Sequence, residues 1–175
     1  MKRSPELERD AACEVARLMA AAARTAPKTC GIDNIEIFTI DDGPARDKLI
    51  AKMREISAKE KRGSLGRDAN SIAESPAIVV MGAKSNPAGL NCGFCGYPTC
   101  DELKKSGGVC AYNSIDLGIA VSSAASIANQ FHIDNRIMYS IGRASMDLKL
   151  FTKDVKQALG IPLSVTGKNP FFDRK

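Results

Sequence analysis

The chain has 175 residues, of which 44% are hydrophobic, 5% aromatic and 26% charged, and it contains no tryptophan. This length predicts a single domain over residues 1–175 with an aliphatic core, and no run approaches the ~18 consecutive apolar residues of a membrane-spanning helix. The net charge of +5 comes from scattered basic residues, which argues against a nucleic-acid-binding protein.

The N-terminal segment MKRSPELERD is charged and lacks the apolar region of a secretory signal peptide. We therefore expect a cytoplasmic protein without a membrane anchor. In a reducing compartment the six cysteines are expected to be thiols or metal ligands rather than disulfides.

The first half of the chain alternates helical and strand patterns. Residues 5–23 contain strong helix formers, and this helix is expected to end near Pro27. Residues 34–40, NIEIFTI, alternate and are rich in β-branched side chains, which predicts a strand. A second helix begins near Pro44. The apolar positions expected to be buried are Ala12, Val15, Ala16, Met19 and Ala23 in the first helix and Leu49, Ile50, Met53 and Ile56 in the second.

The second half is predicted to contain two further helices and three strands. A polar stretch over 62–75 precedes the apolar run PAIVVMGA, which predicts an interior strand over 76–83. Residues 110–131 predict a long helix of small residues. The remaining segments are predicted as a strand over 136–142, a helix over 144–159 and a strand over 161–165. This order of elements predicts an α/β or α+β fold.

Four cysteines follow the spacing C-x2-C-x4-C-x9-C, through Cys92, Cys95, Cys100 and Cys110. The glycines at 93 and 96 permit positive φ angles and leave backbone N–H groups free to point toward sulfur. Four thiolates, one for each iron, suit a [4Fe–4S] cluster. Structural zinc is the alternative, although zinc sites usually pair two C-x2-C motifs. Incidental thiols are the third interpretation.

The two other cysteines and the single histidine have weaker signals. Cys13 lies inside the first predicted helix and is expected to be a small core residue. Cys30 lies in a glycine-containing loop, where it is either a core or loop thiol or part of a cofactor lining. His132 is expected at a helix end or on the surface, and a lone histidine argues against a catalytic triad.

The cysteine loop and its flanking segments resemble a family of uncharacterised prokaryotic proteins described as containing a ferredoxin domain. The matching segments are MGAKSNPAGLNCGFCGYPTC, GGVCAYNSIDLGIAVSSAASIANQF and ALGIPLSVTGKNPFFDR. The family has no established reaction, so this resemblance implies a fold and a cofactor but no substrate.

The chain also resembles, more weakly, the flavin-dependent nitroreductases, through ARTAPKTCGIDNIEIF, DLGIA and ALGIPLSV. This resemblance implies an α+β, nitroreductase-like sandwich in which helices flank a small sheet, with the cysteine-rich cluster loop, residues 89–110, as an insertion. It also implies an intertwined homodimer with FMN at the subunit interface.

The nitroreductase resemblance implies candidate flavin-binding positions. Lys2-Arg3-Ser4 stands in place of the family's phosphate-gripping Arg-Arg-Ser, and Ala26-Pro27 matches its Ala-Pro, with Lys28 where the family has serine. The alternative is a solvated role for the charged residues and an ordinary turn and helix start at 142–143. The candidate positions are Arg3, Ser4, Pro27, Lys28, Cys30, Gly142, Arg143 and Lys168.

The sequence therefore predicts an iron–sulfur redox protein, an oxidoreductase or electron-transfer protein with one [4Fe–4S] cluster and FMN as a candidate second cofactor. No residue supplies an evident acid or base, so catalytic residues stay unassigned. The alternative is a non-enzymatic, ferredoxin-like carrier or a structural or sensing module stabilised by a cluster or zinc. The expected partners are a redox protein and a second copy of the chain.

Overall fold

The computed structural model describes residues 1–152 and 155–172, which are arranged around a four-stranded antiparallel sheet. The strands are β1 (Ile35–Asp41), β2 (Ala77–Lys84), β3 (Asp134–Asn135) and β4 (Val155–Ser164). Their order in the sheet is β1-β2-β4-β3. Val80 of β2 pairs with Phe38 on one side and Gly160 on the other, and β3 pairs with the end of β4.

Six helices surround the sheet in the described part of the chain. They are α1 (Ser4–Thr25), α2 (Pro44–Glu60), α3 (Gly63–Ser71), α4 (Cys100–Ser106), α5 (Ala111–Gln130) and α6 (Tyr139–Asp147), and a short 3-10 turn covers Thr29–Gly31. Among the described helices, none is both long and apolar enough to cross a bilayer.

Two hydrophobic cores lie on opposite faces of the sheet, and β2 contributes to both. One core contains α1, α5 and alternate β2 residues such as Val79 and Met81. The other contains α2, α3, α6 and the intervening residues Ile78 and Val80. Because successive strand side chains point to opposite faces, the continuous apolar run of β2 is explained by helices on both sides.

The structure confirms several predicted elements. Strands β1 and β2 and helices α1, α2 and α5 lie within a few residues of their predicted bounds. All nine apolar positions predicted for α1 and α2 are buried. His132 lies on the surface just beyond α5, as expected, with a φ angle of 56°.

One helix was not predicted, and two predicted segments are wrong. The polar stretch 62–75 contains α3, whose Leu65, Asp68 and Ala69 are buried. The predicted strand over 136–142 forms only a bridge between Met138 and Gly160 before α6 begins. The predicted helix over 144–159 is α6 at its start and β4 at its end, and its residues 153 and 154 lie outside the described residues. Ladder hydrogen bonds to β2 place the latter part in the sheet.

Candidate metal centre

Four cysteines line one cavity at the edge of the molecule. Cys92 and Cys95 belong to the loop that follows β2, Cys100 is the first residue of α4, and Cys110 is the N-cap of α5. Tyr97, Leu103 and Tyr112 are among the other residues that line the cavity. The structure therefore brings together the four cysteines that the spacing singled out.

The four thiols differ in their exposure to solvent. Cys110 is buried, Cys95 and Cys100 are half-buried, and Cys92 is exposed. All four are free thiols. The cavity thus has a closed side at the start of α5 and an open side at Cys92.

Two glycines allow the loop to turn between the cysteines. Gly93 and Gly96 have φ angles of 70° and 86°, in the left-handed region that favours glycine. The Gly96 N–H donates to the Gly93 carbonyl at 2.9 Å, which closes a turn around Cys95. The positive φ angles expected from the sequence at these positions are confirmed.

Asn91 connects the beginning of the loop to α4. Its backbone N–H donates to the Cys100 sulfur at 3.4 Å, and its side-chain Oδ1 accepts from the Cys100 backbone N–H at 2.8 Å. Its φ angle is 45°. The sequence analysis missed this residue, although an asparagine directly before the first cysteine of a glycine-rich loop is the signal that could have found it.

The base of the loop is held by three asparagines that lie far apart in the sequence. The Asn86 N–H donates to Asn113 Oδ1 at 3.1 Å, and the Asn86 carbonyl accepts from the side-chain amides of Asn34 and Asn113 at 3.3 Å each. Asn86 Nδ2 in turn donates to Asn34 Oδ1 at 3.1 Å. Asn34 and Asn113 are buried. These bonds connect the loop to the residue before β1 and to α5, and none of them involves a cysteine.

The electrostatic surroundings suit a negatively charged guest. Cys110 is the N-cap of α5, whose first-turn backbone N–H groups carry partial positive charge and whose first turn holds no acidic residue. The first turn of α4 carries Asp101 and Glu102, so the favourable potential of a helix start comes from α5 and not from α4. Lys104 and Lys105 are exposed in the last turn of α4. The donor set, with four thiols and an N–H directed at one sulfur, fits an iron–sulfur cluster.

The described residues contain no preformed site for a metal ion. Within residues 1–152 and 155–172, no group of three or more His, Cys, Asp or Glu side chains is arranged so that it could hold one. The four cysteines meet instead as free thiols in one shared cavity.

The candidate flavin residues near α1 lie at its two ends. Arg3 and Ser4 are at the N-terminus, whereas Pro27, Lys28 and Cys30 follow the C-terminus. A helix of 22 residues is roughly 33 Å long, so one chain does not bring these two groups together. Cys30 is exposed, with a φ angle of 55°.

The Lys28 side chain binds the C-terminal end of α1. Its ammonium group donates to the carbonyls of Ala23, Arg24 and Ala26 at 2.9, 3.0 and 2.6 Å. These carbonyls lie at the C-terminal end of α1, where a cation is favourable. Cys13, which was expected in the core, is half-buried, and burial raises the pKa of its thiol.

Arg143 lies on a second cavity, which is close to the cysteines. It donates to Glu60 and Asp147 at 3.0 and 3.2 Å. The cavity has a volume of about 480 Å³ and is also lined by Ser114, Lys156 and Gln157. Ser114 lies one helical turn after Cys110, and its hydroxyl donates to Gln157 at 2.7 Å.

The two other flavin candidates lie elsewhere. Gly142 is buried in α6 against the backbone of β4. Lys168 is exposed beyond the end of β4. Neither residue lines the cavity beside Arg143, so the eight candidates do not form one site within a chain.

The comparisons give a family and a fold. The family model described as "Uncharacterized protein containing a ferredoxin domain" (DUF2148) matches residues 106–174, a segment that includes Cys110 but not the other three cavity cysteines. An uncharacterised protein of Archaeoglobus fulgidus is 44% identical over 168 residues, which cover 91% of this chain and 89% of the relative.

Similar solved structures include flavoproteins. A nitroreductase with bound FMN from Bacteroides fragilis is 11% identical to this chain, with a TM-score of 0.62. The match covers 93% of this chain and 81% of the nitroreductase chain. A nitroreductase with bound FMN from Desulfitobacterium hafniense is 13% identical and covers 89% and 78%, with a TM-score of 0.59. A BluB-like flavoprotein from Clostridium difficile is 20% identical and covers 89% and 81%, with a TM-score of 0.60. The predicted α+β, nitroreductase-like fold is confirmed.

Proposed function

The chain belongs to the family of proteins described as uncharacterised and containing a ferredoxin domain, and from this premise we propose that it is a redox protein that binds one [4Fe–4S] cluster. The ligands in this proposal are Cys92, Cys95, Cys100 and Cys110. The observation that carries it is that four thiols from a loop and two helix starts line one cavity.

The arrangement of the cysteines favours a cluster over zinc. Structural zinc needs four ligands in one tetrahedron with Zn–S distances of about 2.3 Å. A cubane cluster instead binds one thiolate at each of four separate irons, so its ligands stand further apart. The cysteine spacing, in which one C-x2-C pair is followed by two separate cysteines instead of a second pair, matches the second requirement better.

The chain supplies binding and electrostatic tuning. When bound, a [4Fe–4S] cluster donates and accepts single electrons. Cys110 anchors the closed side of the cavity, and the Asn91 N–H stabilises negative charge on the Cys100 sulfur. The start of α5 adds a favourable potential for an anion. Cys92 leaves one side open to solvent, where an electron partner has access.

Metal analysis of the anaerobically purified protein tests the ligand set. We expect roughly four irons and four sulfides per chain, with little zinc. Cys92→Ser, Cys100→Ser and Cys110→Ser should each lose most of the iron, because each removes one thiolate. Cys30→Ser is the matched control, since this thiol lies outside the cavity lining and its loss should leave the iron content unchanged.

Other outcomes decide between the alternatives. One zinc per chain and no sulfide would support a structural zinc module. Full iron and sulfide in Cys110→Ser would contradict the proposed ligand set, because the buried cysteine could then not be a ligand. Equal iron loss in Cys30→Ser and Cys92→Ser would likewise contradict the assignment of the site.

A flavin-dependent oxidoreductase is the second candidate function. The fold is shared with proteins solved with bound FMN, and a cavity lined by Arg143 and Lys156 starts one helical turn from Cys110. Lys156 next to apolar walls suits an anionic, aromatic cofactor, whereas the charge of Arg143 is shared with Glu60 and Asp147. A flavin there would couple one-electron and two-electron chemistry.

Flavin content separates this enzyme from a carrier that holds only a cluster. FMN released by acid from the purified protein, or tight binding of added FMN, would support the oxidoreductase. We expect Lys156→Gln to weaken FMN binding and Lys104→Gln, outside this cavity, to leave it unchanged. A chain that holds iron and sulfide but binds no FMN would support the ferredoxin-like carrier.

A further inference from the structure

We propose that Asn91 is a positioning residue for the cluster, which holds the cysteine loop against α4 and adjusts the electronic properties of Cys100. The inference rests on the proposed function, since it concerns how the same site is held and tuned. It extends that site from its four thiols to a residue that contributes no ligand atom.

Asn91 makes two hydrogen bonds to the same residue. Its backbone N–H donates to Cys100 Sγ at 3.4 Å, and its Oδ1 accepts from the Cys100 N–H at 2.8 Å. The two bonds close a ring between the start of the loop and the first residue of α4. Because Cys92 follows Asn91 directly, this ring also fixes where the first cysteine lies relative to the third.

The backbone conformation explains why the residue is asparagine. Its φ angle of 45° is in the left-handed region, which glycine adopts freely and asparagine and aspartate tolerate better than other residues. Glycine would relieve the backbone but would supply no acceptor for the Cys100 N–H. Asparagine and aspartate satisfy both requirements. Glycine and aspartate variants at this position therefore separate the effect of the side-chain contact from the effect of the backbone conformation.

The contact has a consequence for redox chemistry. Hydrogen bonds to cluster sulfur contribute to the reduction potential, and an N–H donor favours the state with more negative charge on sulfur. Oδ1 keeps the Asn91 N–H directed at Cys100. Without that acceptor the loop separates from α4 more often, the N–H···S bond weakens, and the potential becomes more negative. Cys92 then also leaves its position more often.

Two variants isolate this role in the full-length chain loaded with cluster under anaerobic conditions. In Asn91→Gly the left-handed backbone is retained and the acceptor is lost. We expect it to release iron to a chelator roughly fivefold faster, which is the scale of one neutral hydrogen bond, and to have a more negative reduction potential. In Asn91→Asp a carboxylate accepts the same bond, so the Cys100 amide of the metal-free chain should stay protected from exchange.

A measurement on the metal-free chain separates this inference from the cluster itself. Hydrogen exchange of the Cys100 amide should be slower in the wild type and Asn91→Asp than in Asn91→Gly. An Asn91→Gly chain with the wild-type release rate and potential would overturn the inference and leave the proposed function standing. Equally fast exchange of the Cys100 amide in Asn91→Asp and Asn91→Gly would also overturn it. A wild-type chain that takes up no iron and sulfide would overturn both.

Discussion

Gly142 lies where α6 approaches β4 too closely for any side chain. A Cβ atom added at this position would stand 1.9 Å from the carbonyl oxygen of Ala158. That contact is with backbone in the middle of the sheet, so neither partner can move aside cheaply. The glycine predicted as a flavin-binding residue therefore has a packing requirement that is independent of any ligand.

Gly142→Ala should lower the free energy of unfolding by about 3 kcal/mol, the upper end of the usual cost of overpacking. Urea unfolding followed by circular dichroism measures this change. Gly118→Ala is the matched control, because a Cβ there meets nothing within 4 Å and alanine favours a helix by about 0.5–1 kcal/mol over glycine. A Gly142→Ala chain as stable as Gly118→Ala would contradict the close approach of α6 and β4.

The residues of the site differ in how far the sequence could predict them. The spacing identified the four cysteines because ligand chemistry depends on residue type. The role of Asn91 depends on a contact with Cys100 nine positions away, and no periodicity encodes such a contact. Lys28 was a flavin candidate because it follows the matching Ala26-Pro27, although the family has serine there, and its ammonium group in fact binds carbonyls at the end of α1.

Among whole elements, periodicity predicted those that bury one clear face. The stripe of α1 buries one face, whereas the short continuous apolar run of β2 indicated a strand buried on both faces. The segments 136–142 and 144–159 were ambiguous, because their patterns suit either state. There, partners distant in sequence decide the structure, through the bridge from Met138 to Gly160 and the ladder between β2 and β4. Asp68 of α3 is a buried polar residue whose Oδ2 accepts a hydrogen bond from Ser140 Oγ of α6 at 2.7 Å. This bond explains why the carboxylate is tolerated in the core.

One ion pair fastens the start of α1 to the end of β1. Arg9 donates to both carboxylate oxygens of Asp42, from Nε at 2.9 Å and from Nη2 at 2.6 Å. The side-chain hydrogen bond from Arg9 lowers the pKa of Asp42 below its ordinary value. A lowered pKa means that the folded state favours the ionised carboxylate, and that this contribution to stability disappears in acid.

Asp42→Asn should therefore lower the melting temperature near neutral pH and have little effect in acid. Above the ordinary aspartate pKa of about 3.9, the pair contributes in full. As the pH falls through the lower folded-state pKa, that contribution is lost, and the melting curves of wild type and variant should converge. High salt should shrink the difference at neutral pH, since the pair is partly exposed. A gap between the melting temperatures of wild type and Asp42→Asn that is constant with pH would contradict this role for the pair.

At the scale of the whole molecule, the homodimer expected from the nitroreductase resemblance stays a prediction. Helix α5 exposes Ile115 and Ile119, four residues apart on one side, and such apolar surface is often covered in assemblies. Sedimentation equilibrium of the full-length chain should give twice the chain mass of 18.7 kDa. A mass of one chain at micromolar concentration would contradict the dimer and would leave the cluster proposal intact, because all four cysteines belong to one chain.

The three asparagines at the base of the cysteine loop connect it to the rest of the fold independently of the cysteines. Asn34, Asn86 and Asn113 join β1, the segment after β2, and α5 by side-chain and backbone amides alone. None of these bonds involves a cysteine. On the cluster proposal, loss of iron and sulfide would therefore leave a folded chain that can be reloaded without new synthesis.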